Sequence, residues 1–303
     1  MLIKVLGSSA GGGLPQINCN CRNCADARAG SRAVRRRTQS SVAVSRDGSN
    51  WTLLNASPDL RQQIDATPQL WPRPEGGRRS SPIVSIVLTN ADVDHVAGLL
   101  SLREGVSFTL YGSGSVLAAL AANPIYAVLD RGHVPRVTLA LESKLLLAGG
   151  LCLEAFAVPG KIALYLETSA AEFGTRPGDT LGLKISDPES GAAFFFIPGC
   201  AAVDAALAAR LRGAPLVLFD GTLYTDDEMI VQGLSSKTGQ RMGHLAMAGP
   251  SGAITAFAGF EVGRRVFVHM NNSNPALRED SPERASVEAA GWEIAWDGME
   301  IEL

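Results

Sequence analysis

Three cysteines, Cys19, Cys21 and Cys24, fall close together near the start of the chain, while Cys152 and Cys200 stand alone. Thiolates at this spacing can close on one tetrahedral zinc, with a fourth ligand from elsewhere. An odd count of five cysteines, with no secretory leader in view, argues against a disulfide framework. A zinc with four protein ligands has no position left for a catalytic water, so this cluster reads as a structural zinc that pins its loop or a dimer contact. A second group is the acidic loop Thr89-Asn90-Ala91-Asp92-Val93-Asp94-His95. Helix capping explains one Asp before a helix, but not two together with a His. Carboxylates buried at the end of a strand are costly unless paired or bound to a cation. Asp92, Asp94 and His95 are therefore candidate metal ligands. His244, in a Gly-containing turn, is an acid/base or substrate contact, or a loop His on solvent. His133 has no informative context and reads as surface. The basic run at Arg35, Arg36 and Arg37 reads as a solvated turn or strand edge, or as an anion contact.

These residues must be held by strands and their connections. Residues 2–6, 41–45 and 51–54 read as strands, the last two around the hairpin signal Asp47-Gly48. The apolar run 83–89 predicts a buried strand that ends at the acidic loop. A helix over 96–102, a strand over 108–111 and a helix over 116–123 follow. Further strands are expected at 151–158, 163–167, 193–197, 215–219 and 266–270. The alanine-rich stretch 201–211 reads as a helix. Ser281 and Pro282 open another, over 281–290, and strands at 292–296 and 299–303 close the chain. Strands dominate both halves with helices between them. The expected architecture is α/β, an αββα sandwich of two mixed β-sheets flanked by helices. It forms one domain over 1–303, with halves of about 1–160 and 161–303 meeting near 159–161. A doubly wound parallel sheet is the competing architecture, and the hairpin signals weigh against it.

Composition sets the outer limits. Of 303 residues, 46% are hydrophobic and 19% charged, which marks a globular chain with a sizeable core. A formal net charge of -3 argues against a general nucleic-acid binder. No stretch approaches the roughly 20 apolar residues of a membrane helix, and the first residues do not form a leader. A cytoplasmic location is expected.

The acidic loop resembles the metallo-β-lactamase signature His-x-His-x-Asp-His, which also follows a strand. Asp94 and His95 match it, while Asn90 and Asp92 stand where two histidines would be. The remaining set is richer in oxygen, which moves ligand preference from zinc toward iron(II) or manganese(II). More specifically, Gly7 to Gly13 with the cysteine cluster, the stretch Asn55-Ala56-Ser57-Pro58-Asp59-Leu60-Arg61-Gln62, the acidic loop, and the stretches 219–228, 237–244 and 268–275 resemble the pyrroloquinoline quinone (PQQ) biosynthesis protein B family. The resemblance spans nearly the whole chain in order.

That resemblance implies a metallo-β-lactamase-like fold and extends the candidate site. His269, on the late strand, would be an active-site ligand, and Asp220 an acidic residue bridging or supporting the metal. Cys200 stands where relatives often carry a ligand, and reads otherwise as a small buried residue. Lys161 lies where many relatives carry a third His and would, with Arg61, hold substrate carboxylates. In a phosphodiesterase branch of the superfamily, the fourth ligand of the cysteine zinc is a His three residues after the late-strand His. That offset points here to Asn272, an amide that is a poor zinc ligand, so the fourth ligand stays open. The implied role is in making PQQ. One iron(II) held by Asp92 or Asp94, His95 and His269 would serve oxygen-dependent hydroxylation of the tyrosine ring of a glutamate–tyrosine precursor, with Asp220 and His244 orienting substrate or moving protons. A carrier of PQQ or its precursor to the periplasm and a metal-dependent hydrolase are the alternatives. The implied cofactors are the structural zinc and the active-site divalent metal. The implied partner is the PQQ precursor, with no nucleic acid and no membrane segment, in a homodimer.

Overall fold

The computed structural model describes residues 1–167 and 176–303. Among the described residues, fourteen strands form two seven-stranded sheets. In chain order they are β1 (Leu2–Gly7), β2 (Ser41–Ser45), β3 (Trp51–Leu54), β4 (Ile83–Val87), β5 (Thr109–Gly112), β6 (Arg136–Thr138), β7 (Lys144–Leu146), β8 (Cys152–Ala157), β9 (Leu181–Ser186), β10 (Ala193–Ile197), β11 (Leu216–Asp220), β12 (Arg264–Val268), β13 (Glu293–Ile294) and β14 (Glu300–Glu302). The first sheet runs β14-β1-β2-β3-β4-β5-β6 and the second β13-β12-β11-β10-β9-β8-β7. Each sheet is mixed in the same way. In the first, β14 to β3 pair antiparallel and β3 to β6 parallel. In the second, β7 to β10 pair antiparallel and β10 to β13 parallel.

Alternation along the strands creates three apolar layers. Phe194 and Phe196 join Val266 and Val268 in a cluster shared with Val5, Val42, Leu54 and Val87 of the other sheet. Phe195 and Phe267 face the other way, into a cluster with Leu207, Leu211, Phe257 and Trp292. On the outer face of the first sheet, Leu53, Ile86 and Leu110 pack with Leu60, Leu99, Val116 and Leu120. Both faces of the central strands are thus covered, which is why they read as continuous apolar runs rather than alternating ones. The layer order is the expected αββα sandwich.

Several expectations need correcting. The crossing between sheets lies between β6 and β7, not near 159–161, and β14 returns to the first sheet beside β1. β6, β7 and β9 were not expected. The 163–167 run is not a strand but carries a 3₁₀ turn at Leu164–Leu166. The helix expected at 96–102 is an α-turn at Val93–Val96 followed by a 3₁₀ stretch at Ala97–Leu102. The alanine-rich helix starts only at Ala205, because the Asp204 side chain accepts from Leu207 N and caps it there. Arg37 is buried rather than solvated, and its guanidinium donates to Ser8 Oγ and to the Ala295 carbonyl. Among the described residues, no helix is long and apolar enough to cross a membrane.

Candidate metal centre

Two groups of side chains converge at the carboxyl ends of parallel strands, the usual ligand-binding edge of such sheets. The first comes from both sheets. β4 ends at Val87 and delivers Asp94 and His95 on the first turn of the following helix. β12 ends at Val268, two residues earlier than expected, because His269 adopts φ +58 and turns the chain out of the sheet. A left-handed backbone at a non-glycine residue is strained and persists only where surrounding bonds hold it. Asp94, His95 and His269 each offer a ligand atom, and these lie within 4.8 Å of one another.

Hydrogen bonds fix which ring nitrogens face that point. His269 Nδ1 lies 2.8 Å from Thr222 Oγ1, and that hydroxyl donates its single proton to Asp220 Oδ1 at 2.6 Å. Nδ1 of His269 therefore carries a proton, and Nε2 lies 3.1 Å from Asp94 Oδ2; burial lowers the imidazole, but its bond to Asp94 more than reverses this and raises it. A proton on Nε2, or a metal ion in its place, satisfies both atoms. His95 Nδ1 faces Thr89 Oγ1 at 3.4 Å, and its Nε2 is buried with no hydrogen-bond partner. A buried imidazole nitrogen without a hydrogen-bond partner, beside a carboxylate, is suited to ligate a metal. The residues present thus fit a divalent ion. Burial pushes the Asp94 carboxyl up, but the two histidines outweigh it and hold the group well below the usual carboxylate range. Burial lowers the His95 imidazole, which keeps it neutral and able to ligate.

A second trio, Asp220, His244 and His269, is equally close, but its atoms are already satisfied. His244 Nδ1 sits 2.7 Å from Asp220 Oδ2, which also accepts from Cys200 N at 3.0 Å. Burial raises the Asp220 carboxyl, and His244 and the hydrogen bonds more than reverse it. This trio orients the two imidazoles around Thr222, a hub that sequence reading missed. Its only sequence signal was its position two residues after Asp220. Cys200 is fully buried, its thiol pushed up by burial, and it supports Asp220 through its backbone.

Two expected site residues lie elsewhere. The Asp92 carboxylate lines the cavity but stays outside the ligand cluster, because it accepts from Asn90 Nδ2 at 2.9 Å. Arg61 is exposed on the short helix Leu60–Asp65 and borders a different depression, with Trp71 and Pro72. The stretch around it serves to brace the metal loop. Ala56 N donates to the His95 carbonyl at 2.7 Å and Gly98 N to the Ala56 carbonyl at 2.9 Å. A Cβ at Gly98 would sit 1.9 Å from the Ser57 carbonyl oxygen, so only glycine allows this approach. Lys161, in contrast, does line the cavity of about 430 Å³ beside the metal cluster, with Lys237, Arg241, Met242, His244 and Asn271. His133 is exposed, as expected.

The cysteine cluster lies just beyond. Cys19, Cys21 and Cys24 bring their sulfurs within 4.8 Å of one another. Asn272 covers them, its Nδ2 3.1 Å from Cys19 Sγ, 3.3 Å from Cys24 Sγ and 3.6 Å from Cys21 Sγ. Burial pushes the Cys24 thiol up to about 11, while at Cys19 hydrogen bonds overcome burial and lower it. Only two residues separate His269 from Asn272, so one turn serves both clusters. It is held by Asn23 Nδ2, which donates to the carbonyls of Asn272 and Asn274, and by Asn274 Nδ2, which donates to the Gly221 carbonyl.

This fold and this strand-end constellation define a metal-binding member of the metallo-β-lactamase class, and a model of the beta-lactamase superfamily domain matches residues 50–270. A diphosphatase from the PhnP family shares the fold, with TM-score 0.67 at 20% identity over 100% of this chain and 97% of its own. Coenzyme PQQ synthesis protein B of Methylorubrum extorquens strain PA1 is 52% identical over 100% of both chains. The crystal structure of Zn(2+)-bound PqqB from Methylobacterium extorquens superposes with TM-score 0.96, 52% identity and full coverage of both chains. The chain belongs to the coenzyme PQQ synthesis protein B family of the beta-lactamase superfamily.

Proposed function

We propose that this chain acts in PQQ synthesis as a metal-dependent oxygenase that hydroxylates the tyrosine ring of a glutamate–tyrosine precursor. The observation that carries it is the trio Asp94, His95 and His269, with the His95 Nε2 buried and unpartnered. Two imidazoles and one carboxylate are the ligand set of mononuclear non-haem iron oxygenases, so Asp94, His95 and His269 would hold an iron(II) there. When bound there, iron(II) would activate dioxygen for reaction with an aromatic ring. One oxygen atom enters the ring as hydroxyl. The other leaves as water, with two electrons and two protons from an external reductant.

The chain's own residues do the rest. Asp220 holds His244 through Nδ1, which leaves the other ring nitrogen for the cavity, placed to accept the phenol proton. Lys161 offers its ammonium to a substrate carboxylate. Asn272, turned over about its last side-chain bond, presents Oδ1 to a zinc held by the three cysteines. That zinc is structural in this reading.

The test is anaerobic metal loading with elemental analysis of the wild type and a His95→Ala, His269→Ala double variant. One zinc that survives both substitutions and one iron that does not support the assignment. Oxygen uptake with the glutamate–tyrosine diamino acid then tests the reaction. Identical metal content in both proteins overturns the site and favours a non-catalytic carrier.

A further inference from the structure

On the wall of the cavity, three cations surround one anion. Arg241 grips the Glu167 carboxylate with both arms, Nη1 to Oε1 at 3.2 Å and Nη2 to Oε2 at 2.8 Å. Lys161 Nζ stands 3.9 Å from Oε1, and the charge of Lys237 also acts on this carboxylate. Arg241, Lys161 and Lys237 all line the cavity that holds His95 and His269. The Glu167 and Lys161 side chains are 12% exposed and that of Arg241 35%, so solvent screens the pairing in part. Lys161 is pressed into place by the turn that carries Arg241 and His244. A Cβ at Gly243, where φ is +86, would sit 2.8 Å from Lys161 Cγ.

The two carboxylates of the metal loop do not neutralise this corner. Asp92 is bonded to Asn90, and Asp94 faces the histidines. Among the described residues, Arg241, Lys161 and Lys237 all act on the Glu167 carboxylate, and all three line the cavity beside the metal cluster. The forked Arg241–Glu167 pair has the geometry by which a guanidinium recognises any carboxylate, including one from outside.

We infer that Glu167 is an internal stand-in for a substrate carboxylate, and that a bound di- or tricarboxylate displaces it from Arg241 and engages Lys161 and Lys237. The inference rests on reading this cavity as the substrate site, not on the oxygenase step. Glu167 keeps the cationic corner satisfied while the cavity is empty. It also imposes a competition that only a ligand with more than one well-placed carboxylate wins. Lys237 and Arg241 thereby become specificity residues.

The experiment is calorimetric binding of glutarate, and of its neutral isostere glutaramide, to metal-loaded wild type, Glu167→Gln and Lys237→Met at fixed ionic strength. Removing the competing carboxylate should tighten glutarate about tenfold, and removing one cation should weaken it about fivefold. Glutaramide should be indifferent to both. The inference fails if Glu167→Gln leaves glutarate unchanged or weakens it, if glutaramide follows glutarate, or if neither wild type nor Glu167→Gln binds glutarate. Should Glu167→Gln not fold, an unchanged glutarate affinity in Lys237→Met overturns it alone. Glutarate binding as expected, with no oxygen uptake on the diamino acid, would retire the oxygenase and leave this assignment standing.

Discussion

The cysteine cluster and the Asp94–His95–His269 cluster sit at opposite ends of one short turn, yet they are built on different principles. The cysteines come from a single loop and helix start, and an amide covers their sulfurs. The other cluster takes its atoms from the two different sheets and opens onto a cavity with a cationic wall. A site closed by its own loop can hold a metal for architecture. A site spread across elements and left open on one side has room for a reactant. The difference teaches that ligand chemistry alone does not assign a role, and that access does.

The largest effect expected is on the closed site. Cys24→Ser should lose its zinc and lower the melting temperature by roughly 10–15 °C, since structural zinc contributes folding energy outright. Thermal unfolding with elemental analysis checks this, and an unchanged melting temperature would make the cluster dispensable. His269→Ala should do the reverse, emptying the open site and lowering turnover by about 10³-fold or more while the cysteine zinc stays. Losing both metals together would show that the shared turn does not insulate the sites.

The third test addresses the turn itself. Ser273 Oγ donates to Glu228 Oε1 at 2.5 Å, and burial pushes that carboxyl up to about 7. Its folded value lies above its ordinary one near 4.5. The stability it contributes is therefore full below that ordinary value and lost as pH rises through 7. A gap of that size is worth about 3 kcal/mol. Glu228→Gln should flatten the dependence of unfolding free energy on pH across that window, and denaturant titrations at pH 5 and pH 8 decide it. An undiminished slope would place the titration elsewhere. The smallest effect expected is that of Thr222→Val, which removes the hub between Asp220, His244 and His269. Affinity for the active-site metal should fall about tenfold with the cysteine zinc untouched, as competition with a chelator would reveal. A loss from both sites would break the contrast.

Much of this was legible in the chain. The three cysteines and the Asp94-His95 pair announce themselves by spacing, and the strands that carry Asp220 and His269 by their apolar runs. What escaped depends on three-dimensional neighbours. Asp92 and Asp94 look alike in sequence, and only the Asn90 amide separates their roles. Arg61 stands in a stretch that resembles the family strongly; that stretch braces His95 through its backbone, while Arg61 itself borders a depression away from the metal cluster. Thr222 and Glu167 have no motif, and their importance comes from which groups they touch. β6 and β7 are three-residue edge strands, too short to show a period. The left-handed turn at His269 leaves no compositional trace, because the residue there is not glycine.

The placement of the ligand atoms at the seam between sheets has a last consequence. A nascent or partly collapsed chain whose sheets have not yet docked owns only a fraction of the coordination set. It cannot retain the ion with useful affinity. Occupancy of the centre is in effect a certificate of completed assembly, and a misfolded chain is spared from carrying a loosely held ion.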